Sequence, residues 1–134
     1  MTKQMEAGLL IVRLVLGITF FVHGLTKFQD GIGNIAGWFD SIGIPGFAAY
    51  IVAVIELVGG AAMIVGFGTR IVAALFVLVM AGAMIKVKFA AGFLGNPQMA
   101  GYELDLALMA MSVLFALSGG QKYSLDHLLF RSKA

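Results

Sequence analysis

An all-α integral membrane protein, built as a four-helix bundle with short interfacial helices, is the fold class predicted by three features of this sequence. Hydrophobic residues make up 60% of the 134-residue chain, charged residues only 12%, and the mean hydropathy is +0.99. Water-exposed domains carry about 25% charged residues, so this chain has too little polar surface to cover a globule in water. Apolar segments at about 8–27, 47–67, 70–88 and 103–118 each approach the length of a membrane-crossing helix. The few ionisable groups inside those segments fall on single helical faces, as a bundle interior requires. The four segments form one domain.

The first segment, LLIVRLVLGITFFVHGLTKF, is long enough to span even with Arg13 and His23 inside it. Glu6 in its flank and Arg13 in its apolar run make it a poor cleavable leader, so it is read as a retained span. The connection that follows, QDGIGNIAGWFDSIGIPG, repeats Ile35, Trp38, Phe39 and Ile42 at helical spacing, which predicts a short helix lying in the headgroup region. Pro45 and Gly46 then break the chain before the second span. Only GFGTR separates the second and third spans, which must therefore form an antiparallel hairpin. A glycine-rich loop, AAGFLGNPQMAGYE, leads into the fourth span. Gly119 and Gly120 stop that span, and Ser124 is placed to cap a short surface helix carrying Leu125, Leu128, Leu129 and Phe130.

Two whole classes of chemistry drop out on composition. The absence of cysteine excludes disulfides, thiolate metal sites and iron–sulfur clusters, and no metal is expected. A net charge of +2, concentrated near the chain ends, argues against a nucleic-acid partner and for basic residues beside lipid. Redox chemistry would need a bound cofactor, a quinoid substrate or a partner protein. The basic residues also set an orientation. With both termini cytoplasmic, Lys3, Arg70, Lys122, Arg131 and Lys133 lie inside, with Arg13 just within the first span, against Lys27, Lys86 and Lys88 outside.

A charge at bilayer depth costs about 2.5–3.5 kcal/mol on insertion scales, so each one inside a span needs a partner or a purpose. Arg13, Gly17, Phe20, Gly24 and Lys27 share one stripe of the first span, with His23 at its edge. Ala49, Glu56, Gly60 and Met63 share one stripe of the second, and Val79, Gly82, Ala83 and Lys86 one of the third. Small residues beside charges let backbones approach closely. Arg13 and Glu56 come within side-chain reach by depth and are predicted to form a structural ion pair. His23, Lys27, Lys86 and Glu103 gather at the outer end as a second polar cluster. Glu103 and Asp105 are two residues apart, so only one can face inward; Glu103 is chosen, on the stripe of Ala107, Ala110 and Leu114.

RLVLGITFFVHGLTKF, WFDSIGIPG, ELVGG with GFGTR, YELDLAL and GGQKYSLD, in that order over almost the whole chain, resemble the DoxX family of small membrane proteins. The similarity is greatest to short bacterial members tied to catechol and hydroquinone stress. The resemblance implies a four-helix bundle in the bacterial cytoplasmic membrane and a link to quinone redox chemistry, since a related protein is a subunit of a thiosulfate:quinone oxidoreductase. Arg13, His23, Gly24, Lys27, Glu56 and Glu103 match the family pattern.

Together these readings predict a quinone- or catechol-linked oxidoreductase, or a membrane subunit of a redox system, with its site among the outer polar groups. A quinone enters from lipid and needs hydrogen-bond donors at both carbonyls. His23, Lys27 and Lys86 supply them, Glu103 or Glu56 handles protons, and the ring packs on Phe20 or Phe21 beside Gly24. Lipid, a quinone or phenolic small molecule, a soluble redox partner and a second copy of the chain are the expected partners. Two other classes compete: a transporter or permeability factor for phenolic compounds, with the buried charges as a proton relay, and a scaffold that docks a soluble redox enzyme on residues 121–134. The orientation is directly testable: alkaline phosphatase fused at the C-terminus will be inactive and a fluorescent protein there bright, whereas phosphatase inserted into the loop at 92–101 will be active. An active C-terminal phosphatase would reverse the topology.

Overall fold

A computed structural model describes residues 1–130 of the chain. Arg131 and Lys133, counted above among the cytoplasmic basic residues, lie outside the described residues, as does the end of the proposed docking tail. Helix α1 (Lys3–Gln29) starts where the Thr2 hydroxyl accepts a hydrogen bond from the Met5 N–H at 3.1 Å. Helix α2 (Ile32–Ser41) follows Gly31, whose φ of 99° turns the chain back, and it buries no residue fully, as an interfacial helix would. Helices α3 (Phe47–Val65) and α4 (Thr69–Ala83) form the expected hairpin through two left-handed glycines, Gly66 and Gly68. A π-helical turn (Met84–Lys88) and a short 3₁₀ turn (Phe89–Ala91) prolong α4. Helix α5 (Glu103–Ser118) packs along α4, and α6 (Leu125–Phe130) ends the described chain, its His127 N–H bonded to the Ser124 hydroxyl.

The all-α expectation needs one small amendment. The loop before α5 contains a two-strand antiparallel hairpin, β1 (Gly95–Asn96) with β2 (Met99–Ala100), turned by the Asn96 side chain, which accepts from the Gln98 and Met99 N–H groups. Among the described residues three helical stretches are long and apolar enough to cross a membrane: Lys3–Gln29, Phe47–Val65 and Thr69–Ala91. Helix α5 has 16 residues and is about 24 Å long, against a hydrocarbon core of about 30 Å. Large apolar side chains such as Ile71, Leu78 and Leu117 are each about 70% exposed, an outer surface suited to acyl chains rather than water.

The centre is filled by Leu16, Phe20, Met63, Ala73, Phe76, Leu108 and Phe115. The Phe20 and Phe76 rings stack at 3.8 Å between centroids. Helices α1 and α3 touch at their backbones, and glycine is what permits it. A side-chain carbon at Gly60 would strike the Phe21 backbone and the Gly17 carbonyl; one at Gly24 would strike Leu57 and Glu56; one at Gly17 would lie 2.8 Å from the Ile64 nitrogen. The register is therefore Gly17 and Phe21 opposite Gly60, and Gly24 opposite residues 56–57.

That register corrects the expected Arg13–Glu56 pair. Gly24 is eleven residues from Arg13, about 16 Å along the helix, so Glu56 lies far beyond the reach of the guanidinium. Arg13 is buried at the hairpin end instead. Its Nε donates to the Met63 carbonyl at 3.0 Å, Nη1 to Gly120 at 2.8 Å and Nη2 to Tyr123 at 2.5 Å. Two further contacts close this end. The Asp126 carboxylate accepts from the Gly68 and Thr69 N–H groups at 2.7 and 2.9 Å, capping α4 from another helix, and Arg70 donates to the Leu117 carbonyl at 2.6 Å.

Gly60→Leu will separate α1 from α3 and lower stability by about 1–3 kcal/mol, the usual cost of overpacking. Gly8→Leu, where nothing lies within 4 Å, will leave thermal unfolding in detergent unchanged. Equal melting of both variants and the wild type would refute the close approach.

Candidate functional site

Opposite the Arg13 end, where α1 finishes and α3 begins, the helices separate and leave a cavity of about 520 Å³. Its walls come from all five surrounding segments: α1, α2, α3, the α4 region with its π-turn, and α5. Most of the lining is aliphatic or aromatic, with Phe20 at the inner end, Trp38 and Phe39 on the α2 side and Leu108 on α5. Polar atoms reach it from His23, Lys27, Lys86, Lys88 and Asp105.

Lys27 stands at the edge of the α1–α3 contact. Its Nζ meets Glu56 Oε1 at 2.5 Å, and the glutamate is 4% exposed against 23% for the lysine. Glu56 is held there by its place on the buried stripe Ala49–Ala53–Glu56–Gly60–Met63, one helical turn after another. The partner of Glu56 is thus Lys27, where Arg13 was expected, because the glycine register brings the last turn of α1 level with it. In a low-dielectric interior this exchange of partners matters, since a buried carboxylate without a cation is strongly disfavoured.

Of the residues singled out from sequence, His23, Lys27, Lys86 and Phe20 line one cavity. His23 and Lys86 are exposed on its wall, and neither forms an ion pair among the described residues. The stripe Val79, Gly82, Ala83 and Lys86 also lines it, while the packed face of α4 is Thr69, Ala73, Phe76 and Met80. Phe21 is half-buried and turns away from the cavity; Gly24 serves the helix contact and does not line it.

Glu103 requires a correction. It is exposed in the first turn of α5, and Asp105, 6% exposed, takes the inward place. The buried stripe of α5 is Asp105, Leu108, Ser112 and Phe115, so the phase of the helix turns Glu103 outward to where its charge stays solvated. Ser112 on the Asp105 stripe was the available signal, because a second polar residue one face down marks the side away from lipid. Asp105 Oδ1 lies 3.6 Å from Lys88 Nζ, while its buried Oδ2 has no hydrogen-bond partner among the described residues. Lys88 counts by sequence among the outer basic residues, and Trp38 and Phe39 by spacing belong to a headgroup-region helix; nothing local to those residues reveals the cavity they share. Lys86 and Lys88 both line it from the π-turn.

Among the described residues no group of three or more His, Cys, Asp or Glu side chains comes together to hold a metal ion. The lysine–glutamate contact is open to a direct test. Lys27→Met will destabilise the protein by roughly 3 kcal/mol, as expected when a buried charge loses its partner. Adding Glu56→Gln to that variant will restore much of the loss. A double variant no more stable than Lys27→Met would show that the pair contributes nothing.

Comparison with known proteins places these features in a lineage. The DoxX family model matches residues 8–89, which covers α1 to the π-turn and stops short of α5. The chain is 46% identical to "Putative oxidoreductase CatD" of Bacillus subtilis over 133 residues, 99% of this chain and 95% of that one. It is 32% identical to a membrane protein of Mycobacterium tuberculosis, covering 91% of this chain and 81% of the relative. It is 29% identical to the inner membrane protein YqjF of Escherichia coli, covering 96% and 97%. No solved structure matches it. The family match over more than half the chain and the near full-length relatives lead to one statement: this chain is a DoxX family membrane protein.

Proposed function

We propose that the chain is a four-span protein of the bacterial cytoplasmic membrane that admits a flat, lipid-soluble ring, a quinone or its phenolic counterpart, into the cavity between α1, α2, α3, α4 and α5 on behalf of a membrane redox system. The observation that carries this reading is the lining: an apolar slot with lysine, histidine and carboxylate groups gathered at one end. Its volume of about 520 Å³ falls in the range of small-molecule sites. A ring slides against Phe20, Phe39 and Leu108, and its oxygens meet the polar groups of α1 and the π-turn. The oxidoreductase name carried by the Bacillus subtilis relative agrees with a redox setting. Electrons would come from a separate redox protein.

Helix α5 supports the fourth crossing. Its Asp105 end reaches the cavity, and the carbonyl of Leu117 near its other end is tied to Arg70 at the hairpin end. It therefore runs from one end of the bundle to the other, and tilt or local thinning accommodates its shortness.

Trp38 is the single tryptophan of the chain and lines the cavity, so it reports binding directly. Duroquinone added to the purified protein in detergent will quench Trp38 fluorescence saturably. Ala83→Phe, which fills the wall opposite, will weaken the binding at least tenfold. Quenching that rises linearly with quinone and is unchanged in Ala83→Phe would be collisional and would overturn the proposal.

A further inference from the structure

The cavity contains one polar atom that its own protein leaves unserved. Asp105 Oδ2 is buried and accepts no hydrogen bond among the described residues, and Oδ1 has only Lys88 Nζ at 3.6 Å, longer than a good hydrogen bond. Asp105 itself is 6% exposed and lines the cavity one turn from Leu108. A carboxylate oxygen held in apolar surroundings without a donor is costly, and such atoms are rare in folded proteins. The Asp105 carboxylate therefore keeps acceptor capacity on the cavity wall that a donor entering the cavity can use.

This requirement separates the two oxidation states of the proposed ligand. A quinone offers only carbonyl acceptors, which the ammonium groups of Lys27 and Lys86 can serve and Asp105 cannot. A ring hydroxyl donates, and it can meet the Asp105 carboxylate beside the lysines gathered at the same end of the slot. We infer that the Asp105 carboxylate is the acceptor for a ring hydroxyl, so that the cavity selects the phenolic, reduced form of its ligand over the carbonyl form. The inference rests on the reading of the cavity as a ring-binding site and adds to it a residue that sets specificity. Asp105 lies beyond the part of the chain matched by the family model, on the helix that closes the last side of the slot.

The test uses displacement of duroquinone, read by recovery of Trp38 fluorescence under anaerobic conditions and corrected for partition into empty micelles. Tetramethylhydroquinone and its dimethyl ether share a ring and both oxygens, but only the first carries donors. In the wild type the hydroquinone will displace at about tenfold lower concentration than the ether, the discrimination that a hydrogen bond to a charged acceptor gives. In Asp105→Leu the two will displace equally while duroquinone still binds. Because the wild-type comparison needs no substitution, a variant that fails to fold leaves the test standing on that comparison. Equal displacement by both compounds in the wild type, or a preference that survives in Asp105→Leu, overturns the assignment of Asp105 and leaves the ring-binding site intact. Absence of saturable duroquinone binding overturns the ring-binding site itself, and the assignment with it.

Discussion

The structure depends on the backbone contact between α1 and α3. Lipid gives helices no hydrophobic reason to associate, so they hold together by packing and by polar contacts that need closeness. Gly17, Gly24 and Gly60 remove the side chains that would keep these two helices apart. Once the backbones meet, their register is set, and the register decides which charges become neighbours. Glu56 faces the last turn of α1 and takes Lys27; Arg13 faces the end of α3 and takes the Met63 carbonyl. The glycines therefore choose the ion pair.

The two ends of the bundle solve the problem of buried polarity in opposite ways. At the hairpin end the charged groups Arg13, Asp126 and Arg70 are matched, while the buried Thr69 hydroxyl has no hydrogen-bond partner among the described residues. The Arg13 guanidinium serves three carbonyls from separate segments, Asp126 serves two amides at the start of α4, and Arg70 caps α5. Such a network binds the C-terminal segment to the bundle. At the opposite end the helices part, α2 lies across the gap with none of its residues fully buried, and the charges outnumber their partners. Lys27 is paired, Lys88 reaches Asp105 at long range, and His23 and Lys86 carry polar heads to the cavity without ionic partners among the described residues.

That contrast gives the cavity its chemical character. A slot with aromatic and aliphatic walls admits what lipid already dissolves, and polar atoms at one end orient it. Lysine donors and the Asp105 acceptor come together at that end, so a molecule that carries oxygens on a ring fits the pattern of the groups. Trp38 and Phe39 place the amphipathic α2 on the wall of the same cavity.

Composition and periodicity by themselves determined the membrane class, the long apolar helices, the tight hairpin between the second and third, the short helix around Trp38 and the short helix after Ser124. Each of these follows from local physics: hydropathy, spacing along a helix, glycine and proline breaks, a capping hydroxyl. They also showed which faces of α1 and α3 turn inward, because a charge flanked by glycines has few other places to go. What only the tertiary structure decided was partnership and phase. The choice of Lys27 over Arg13 for Glu56 depends on how far one helix slides along another, which hydropathy does not encode. The choice of Asp105 over Glu103 depends on a rotation of α5 by less than a full turn, set by its packing on α4. The cavity arises where five segments fail to meet, and a gap between segments distant in the chain has no signature in any one of them.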